Sequence, residues 1–502
     1  MKRTGAQPLL LGVDLGTTRL KVGVFDAQGE LQALAGRDLP RPRSPAPDEA
    51  ELPIATYWNL FRSALAEMLA HVPSAGKRVA GVGICSQAQT FACFDEKGRP
   101  LAPALLWTDA RAQDEARRLA EHLPGALYYR ATGWPAVNPL LAAAKLAWLT
   151  ARCPELMSRC RRVLFAPSYL AWRLTGEQAV DDNIAAMSGL YHLRRAAWWP
   201  RALQACGVDS AVLPPIIPCG ESVGMITSQM ASALGLRQCP VILAGNDQSA
   251  AALGAGISEN EAFLGLGTGL VAYRLIPAAS PFRWPRPVRG PVPLPGKHFA
   301  LLADNCACAA LDWLIDVAGG RLSAHQAIAR GLASPPGANG ARMSPHLRGR
   351  MWPQPGLDIG GALWNLNSSH CFDDLLRAAL EGIACAAREL LSLLRCRGPV
   401  RVLGGGAQSD GWMQLFADFC GLVVERPACT EASVMGAALL AALRTGLTSM
   451  PPPAGSEWGR VESTWLPNRS LRSTCEEVYA DYRAFLRSCE VIHGKTVLGP
   501  EK

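Results

Sequence analysis

One pattern occurs twice in this chain and limits its architecture more than any other. Leu11-Gly12-Val13-Asp14-Leu15-Gly16-Thr17-Thr18 lies near the N-terminus, and Phe263-Leu264-Gly265-Leu266-Gly267-Thr268-Gly269 lies near the middle. Each is an apolar run, a Gly–Thr turn and a second apolar run, the pattern of a β-hairpin with a permissive tip. Two halves of about 250 residues, each opening on such a hairpin, predict duplicated lobes facing one cleft.

Between the hairpins, short apolar runs alternate with amphipathic stretches, which predicts an α/β protein. Strands are expected at Leu9–Asp14, Leu20–Asp26, Val79–Ser86, Val241–Asn246, Ala262–Leu266, Leu270–Leu275 and Val400–Leu403, among others. Helices are expected at Thr56–His71, Asp109–Glu121, Pro139–Leu149, Gln248–Leu253, Cys306–Val317, Phe372–Leu394 and Ala432–Leu443. The proline-rich stretch Ala278–Gly296 is read as excluding any regular strand or helix. After Pro451-Pro452-Pro453, the spacing of Val478, Tyr482 and Phe485 predicts one last helix that packs on the body. The expected division is 8–247, 256–446 and a tail over 447–502.

Composition removes several classes. A chain that is 49% hydrophobic is globular rather than disordered. No apolar run reaches the roughly 18–20 residues of a membrane span. The opening Met1-Lys2-Arg3-Thr4 leads into a strand pattern and not a cleavable signal, so the expected compartment is the cytosol. Fifty basic against 42 acidic residues give +8, mild for 502 residues, and paired arginines such as Arg117-Arg118 do not make a nucleic-acid groove. The 16 cysteines show no Cys-x-x-Cys spacing and no nearby His pattern, so they read as reduced, buried hydrophobes rather than a zinc site. Gly494-Lys495-Thr496 has Cys489 where a Walker loop needs its first glycine, so that motif fails.

Five constellations could carry chemistry. At the first hairpin, Gly16, Thr17 and Thr18 offer amides and hydroxyls suited to polyphosphate oxygens. Asp14 could hold Mg²⁺ directly or through water, and Lys21 stands in the return strand. At the second hairpin, Gly267 and Thr268 offer a further set of donors. In Gly245-Asn246-Asp247, a hydrophobic strand runs into a helix of small residues. Asp247 is either an N-cap or a carboxylate aimed at a substrate hydroxyl as general base. The fourth is Gly404-Gly405-Gly406-Ala407, where three glycines leave room for a flat ring against the backbone. The fifth joins Gln87-Ala88-Gln89 to Trp107-Thr108-Asp109-Ala110-Arg111, a Trp wall with polar groups suited to a polyhydroxylated ligand.

In chain order these pieces resemble the FGGY carbohydrate kinases of the actin/hexokinase/Hsp70 ATPase superfamily, from about Leu9 to Leu443. Lys145-Leu146-Ala147-Trp148-Leu149, Ala379-Leu380-Glu381-Gly382-Ile383-Ala384 and the stretch from Val180-Asp181 to Tyr191 add to the likeness. The resemblance implies two ribonuclease-H-like domains closing on a sugar and ATP·Mg²⁺. It implies Asp247 as general base and Asp14, Gly16, Thr17 and Lys21 at the phosphate and Mg²⁺ end. Gly267-Thr268 would be the second phosphate loop and Gly404–Ala407 the adenosine loop. Substrate contacts are expected from Gln87, Gln89, Trp107, Asp109, Arg111, Asn246 and Asp247.

The departures bear on substrate. Ala88-Gln89 stands where pentulose kinases tend to carry Met-His and glycerol kinases Arg-Glu. Leu140 stands near the glycerol kinases' tyrosine, the usual small or hydroxyl residue three before Lys145 is Ala142, and Ile359-Gly360 stands for Arg-Gly. These changes argue against glycerol and leave pentulose-kinase-like and gluconate-kinase-like substrates open. Gln89 suits a neutral hydroxyl, whereas Arg111 suits a carboxylate. The expectation is an ATP-dependent kinase of a sugar, sugar acid or polyol. The alternative is a catalytically weak sugar-binding regulator of the same fold. The partner expected is a small carbohydrate, with neither nucleic acid nor membrane; a homodimer is left open.

Overall fold

The computed structural model describes residues 7–281, 286–351 and 360–493. The chain forms two compact units, one from 7–256, 288–299 and 431–460, the other from 257–287, 300–430 and 461–493.

The first unit is built on a six-stranded sheet in the order Ser222–Met225, Pro240–Asn246, Val79–Ser86, Leu9–Leu15, Arg19–Asp26, Leu31–Asp38. Leu9–Leu15 is buried along its whole length, as a central strand covered on both faces must be. It is parallel to Val79–Ser86, which is parallel to Pro240–Asn246. The register sets Leu15 beside Ser86 and Ser86 beside Asn246, so three strands end at one edge. Parallel sheets hold ligands at that carboxyl edge.

Helix Ala432–Arg444 lies directly on this sheet. A Cβ at Gly83 would fall 1.9 Å from Ala437 O, so only glycine admits the helix backbone there. The same helix meets Asp247–Gly254, where a Cβ at Gly436 would fall 1.9 Å from Ala250 O. These small residues bring the start of helix Ala432–Arg444 to the sheet edge.

The second unit repeats the plan. Its strands run Lys297–Asp304, Leu270–Pro277, Ala262–Leu266, Val400–Leu403, Val424–Pro427, Val461–Trp465. A hairpin closes with Leu266 opposite Leu270, as the first closes with Leu15 opposite Leu20. Each hairpin's first strand has a parallel neighbour from later in the chain. Helix Phe372–Leu393 is buried over most of its length. The predicted last helix is Arg472–His493. Val478 and Tyr482 are buried, and Phe485 stacks on Trp364 with ring centroids 4.5 Å apart.

Three expectations need correction. A strand, Val288–Pro291, does form inside the proline-rich stretch; it lies at a sheet edge with Pro291 as its last residue, where a missing N–H breaks no ladder. The helix expected from Asp109 begins at Gln113, and the one expected from Pro139 begins at Ala142. Strand Val461–Trp465 was not anticipated in the tail. Ile359 and Gly494-Lys495-Thr496 lie outside the described residues. Among the described residues no helix is long and apolar enough to cross a membrane.

Candidate active site

In the first unit, the carboxyl edge gathers Asp14, Gln87, Asn246 and Asp247. Asn246, not Asp247, caps the helix, since its Oδ1 accepts from Ser249 N at 2.9 Å. Asn246 is itself held by Asn183, whose Oδ1 accepts from Asn246 N at 2.9 Å and from Nδ2 at 2.7 Å. The cap reading of Asp247 is thereby excluded. Its carboxylate, half-buried in the first turn, accepts only locally, from Gln248 N at 2.8 Å. Desolvation, with the Asp14 carboxylate adding to it, pushes Asp247 up to about 7.

Asp14 is the penultimate residue of its strand rather than the last. Its Oδ2 accepts from Ser433 Oγ at 2.6 Å, while its buried Oδ1 has no hydrogen-bond partner. Burial raises its pKa, and the Ser433 bond opposes that. An orphaned carboxylate oxygen is what a divalent cation would satisfy, so Asp14 fits the metal role assigned to it. Lys21 Nζ lies 2.5 Å from Glu431 Oε2, so this lysine is ion-paired. Ser433 and Glu431 were missed in sequence.

The hairpin tip residues Thr17 and Thr18 are exposed, and Gly16 is half-buried. Trp107 is 37% exposed and its indole Nε1 donates to Thr17 Oγ1 at 2.9 Å, which stands it against the tip. The other proposed substrate residues are more occupied. Gln87 donates to Tyr57 Oη at 2.5 Å and keeps a buried, unpartnered Oε1. Gln89 sits at φ 68°, with its Oε1 accepting from Ala142 N at 2.7 Å and its Nε2 donating to Met187 O. Both ends of that amide serve the backbone.

Asp109 and Arg111 do not open to a ligand as helix-start residues would. Asp109 is fully buried and accepts from Ala50 N at 2.7 Å and from Arg111 Nη2 at 2.8 Å. Arg111 also donates to Glu51 Oε1 at 2.8 Å and lies over the Trp148 ring at 5.0 Å. Beneath them, buried Lys145 donates to Leu106 O at 2.7 Å and Gln89 O at 3.1 Å. Burial pushes Lys145 down to about 7.

In the second unit, the hairpin tip and the triple glycine adjoin. Gly404 stands at φ +108°, and a Cβ there would fall 2.3 Å from Leu266 O. Gly406 packs against Leu266 and Trp412, whereas a Cβ at Gly405 would meet nothing within 4 Å. Gly267, Thr268, Gly404 and Gly405 are exposed, and Ala407 is buried. Helix Cys308–Val317 is tied to the tip, with Cys308 N donating to Gly267 O at 3.0 Å and Ala309 N to Thr268 O at 3.3 Å. Gly267 N donates to Gly269 O at 3.2 Å, so the tip is a tight braced turn carrying the exposed Thr268 hydroxyl, which fits phosphate oxygens.

A hairpin with a parallel third strand, repeated in two α/β units, is the plan of the actin-like ATPase fold. The N-terminal domain of the FGGY family of carbohydrate kinases matches residues 9–254, and that family's C-terminal domain matches 267–445. The chain belongs to the FGGY family of carbohydrate kinases. It is 29% identical to L-xylulose/3-keto-L-gulonate kinase of Escherichia coli K12, over 97% of this chain and 98% of that one. It is also 29% identical to the xylulose kinase of the same organism, over 86% and 89%. Its fold resembles a xyloylose kinase from Brucella ovis, at TM-score 0.87 and 25% identity over 96% of this chain and 100% of that one. It also resembles a gluconate kinase from Lactobacillus acidophilus in fold, at TM-score 0.88 and 19% identity over 97% and 99%.

Proposed function

We propose that this chain transfers the γ-phosphoryl group of ATP to a hydroxyl of a small carbohydrate, a pentulose foremost and gluconate next. The observation that carries the reading is Asp247: a carboxylate at a parallel sheet's carboxyl edge, relieved of capping by Asn246 and poised at about 7. A base of that strength can take a hydroxyl proton as the bond to phosphorus forms. The substrate oxygen bonds to the γ-phosphorus, the bond to the bridging oxygen of ADP breaks, and the hydroxyl proton goes to the Asp247 carboxylate. In the first unit, amides and hydroxyls of Gly16, Thr17 and Thr18 are assigned to phosphate oxygens; in the second, by itself, the Gly267–Thr268 turn with its Thr268 hydroxyl is assigned the same role. Mg²⁺, when bound, neutralises phosphate charge, and Asp14 would hold it. Lys21 would reach a phosphate only by giving up Glu431. Trp107, Gln87 Oε1 and Asp247 are the groups assigned to the sugar.

Neither Arg111 nor Gln89 is free to select the substrate. Arg111 is closed on Asp109 and Glu51, so it no longer favours a sugar acid. Gln89 is closed on the backbone, so it no longer favours a neutral sugar. The preference for a pentulose rests on the names of the relatives above. A coupled ADP-release screen over ketopentoses, aldonates, polyols and heptuloses tests it. Turnover on a ketopentose is expected; ADP release on none of them would leave a sugar-binding regulator.

The adenosine is assigned to Gly404–Ala407. Gly405→Val should fold, because its Cβ has open space. Filling that space should cost about 1–3 kcal/mol of nucleotide binding, roughly 5- to 150-fold in affinity. Titration with a non-hydrolysable ATP analogue measures this; unchanged affinity in a folded variant places the nucleotide elsewhere.

A further inference from the structure

Within the second unit, Asp304, Cys306 and His346 meet in the interior, each buried, with one donor atom from each within 4.8 Å of the others. The sequence holds Asp304 and Cys306 together at the end of strand Lys297–Asp304 and brings His346 from 40 residues on, after strand Arg342–Ser344. The kinase reading makes no use of them.

Their hydrogen bonds fix which atoms face the centre. Tyr482 Oη lies 2.9 Å from His346 Nε2 and 3.4 Å from Glu389 Oε2, a placement that lets it accept from Nε2–H while giving its own hydrogen to Glu389. In that tautomer the Nδ1 atom carries the lone pair. It is buried without a hydrogen-bond partner and lies 3.6 Å from Asp304 Oδ2. In that tautomer two acceptors face each other out of water, an arrangement that a cation between them would relieve. Asp304 is already oriented by its other oxygen, which accepts from Asn305 N at 2.8 Å and Met351 N at 3.4 Å.

We propose that Asp304, Cys306 and His346 form a buried zinc site. Zn²⁺ takes such a mixed carboxylate, thiolate and imidazole set, and tetrahedral bonds of about 2.0–2.3 Å put ligand atoms about 3.4–3.7 Å apart. The Nδ1–Oδ2 separation already has that value. Tyr482 supplies the support a ligating imidazole needs on its other nitrogen. Charge closes as well. Arg350, buried and ion-paired to Glu389, is a guanidinium facing this group. A dication together with Arg350 balances Asp304, Glu389 and a Cys306 thiolate. Binding releases the Cys306 proton to solvent, so affinity falls as pH falls. The helix that follows Cys306 is the one bonded to the Gly267–Thr268 tip, so the ion would brace that loop from behind.

The test uses the full chain expressed with zinc and dialysed against metal-free buffer. Elemental analysis should find close to one zinc per chain. The Co²⁺-substituted protein should show tetrahedral d–d bands and a thiolate-to-cobalt charge-transfer band. Cys306→Ser should abolish the charge-transfer band, and Tyr482→Phe should weaken Zn²⁺ binding about 10-fold or more. Zinc far below one per chain with no charge-transfer band in the unmutated protein would overturn the site. So would a band that survives Cys306→Ser. Should the variants not fold, the cobalt spectrum of the unmutated chain decides alone.

Discussion

Asp247→Asn is expected to lower kcat by about 10²-fold or more, the scale of losing a general base, while a bound ATP analogue keeps its affinity. The amide is isosteric and can still accept from Gln248 N, so the local structure should hold. The pH profile gives a second reading. Asp247 must be ionised to take a proton, and it sits at about 7, so kcat/KM should climb as pH rises through 7 and lose that limb in the variant. Stability should move the other way. A carboxyl group whose folded value lies above its unfolded value of 3.8 holds its proton longer in the folded state. Folding is then favoured at low pH, and that advantage is lost as pH rises from about 4 through 7. The neutral amide also removes repulsion with Asp14, so Asp247→Asn should melt higher than the parent at pH 8. Normal turnover in the variant would return Asp247 to a structural role.

Much of this framework was legible because it is local. A strand such as Val79–Ser86 shows as an apolar run, and both hairpins show as Gly–Thr tips between two such runs. Asp247 could be singled out from its place between a hydrophobic strand and a small-residue helix. The illegible parts depend on distant segments. Glu431 and Ser433 reach Lys21 and Asp14 across more than 400 residues, from the start of a helix whose Ala-rich sequence announces only that it packs closely. Gln89 looked open because nothing in Gln87-Ala88-Gln89 reports a left-handed turn that folds its amide onto Ala142 and Met187. His346 could not be paired with Cys306 without the strand that brings it back.

Asp109→Ala is expected to act on stability rather than on sugar affinity. Asp109 looked like a ligand group because it was placed at a helix start, where a carboxylate caps or points outward. The helix instead begins at Gln113, and the intervening turn buries Asp109 against Arg111. Removing the carboxylate leaves the Ala50 amide without its acceptor and strips a buried guanidinium of one of its partners, with Glu51 remaining. Breaking a buried ion pair from one side costs about 3–5 kcal/mol. The surviving Glu51 contact puts the expected loss near the lower end. Lys145 adds a pH signature. Its folded value of about 7 lies below its usual 10.5, and the Asp109 charge supports its protonated form against burial. The unfolded chain binds more protons between those values, so this lysine makes stability rise with pH from about 7 to 10. Loss of Asp109 should steepen that rise, and Asp109→Asn, which keeps an acceptor for Ala50 N, should destabilise less than Asp109→Ala. Denaturant melts of both variants at pH 7 and pH 9 measure this, with substrate KM taken on the folded fraction. Unchanged stability with a KM raised for the sugar alone would put Asp109 back among the groups that touch substrate.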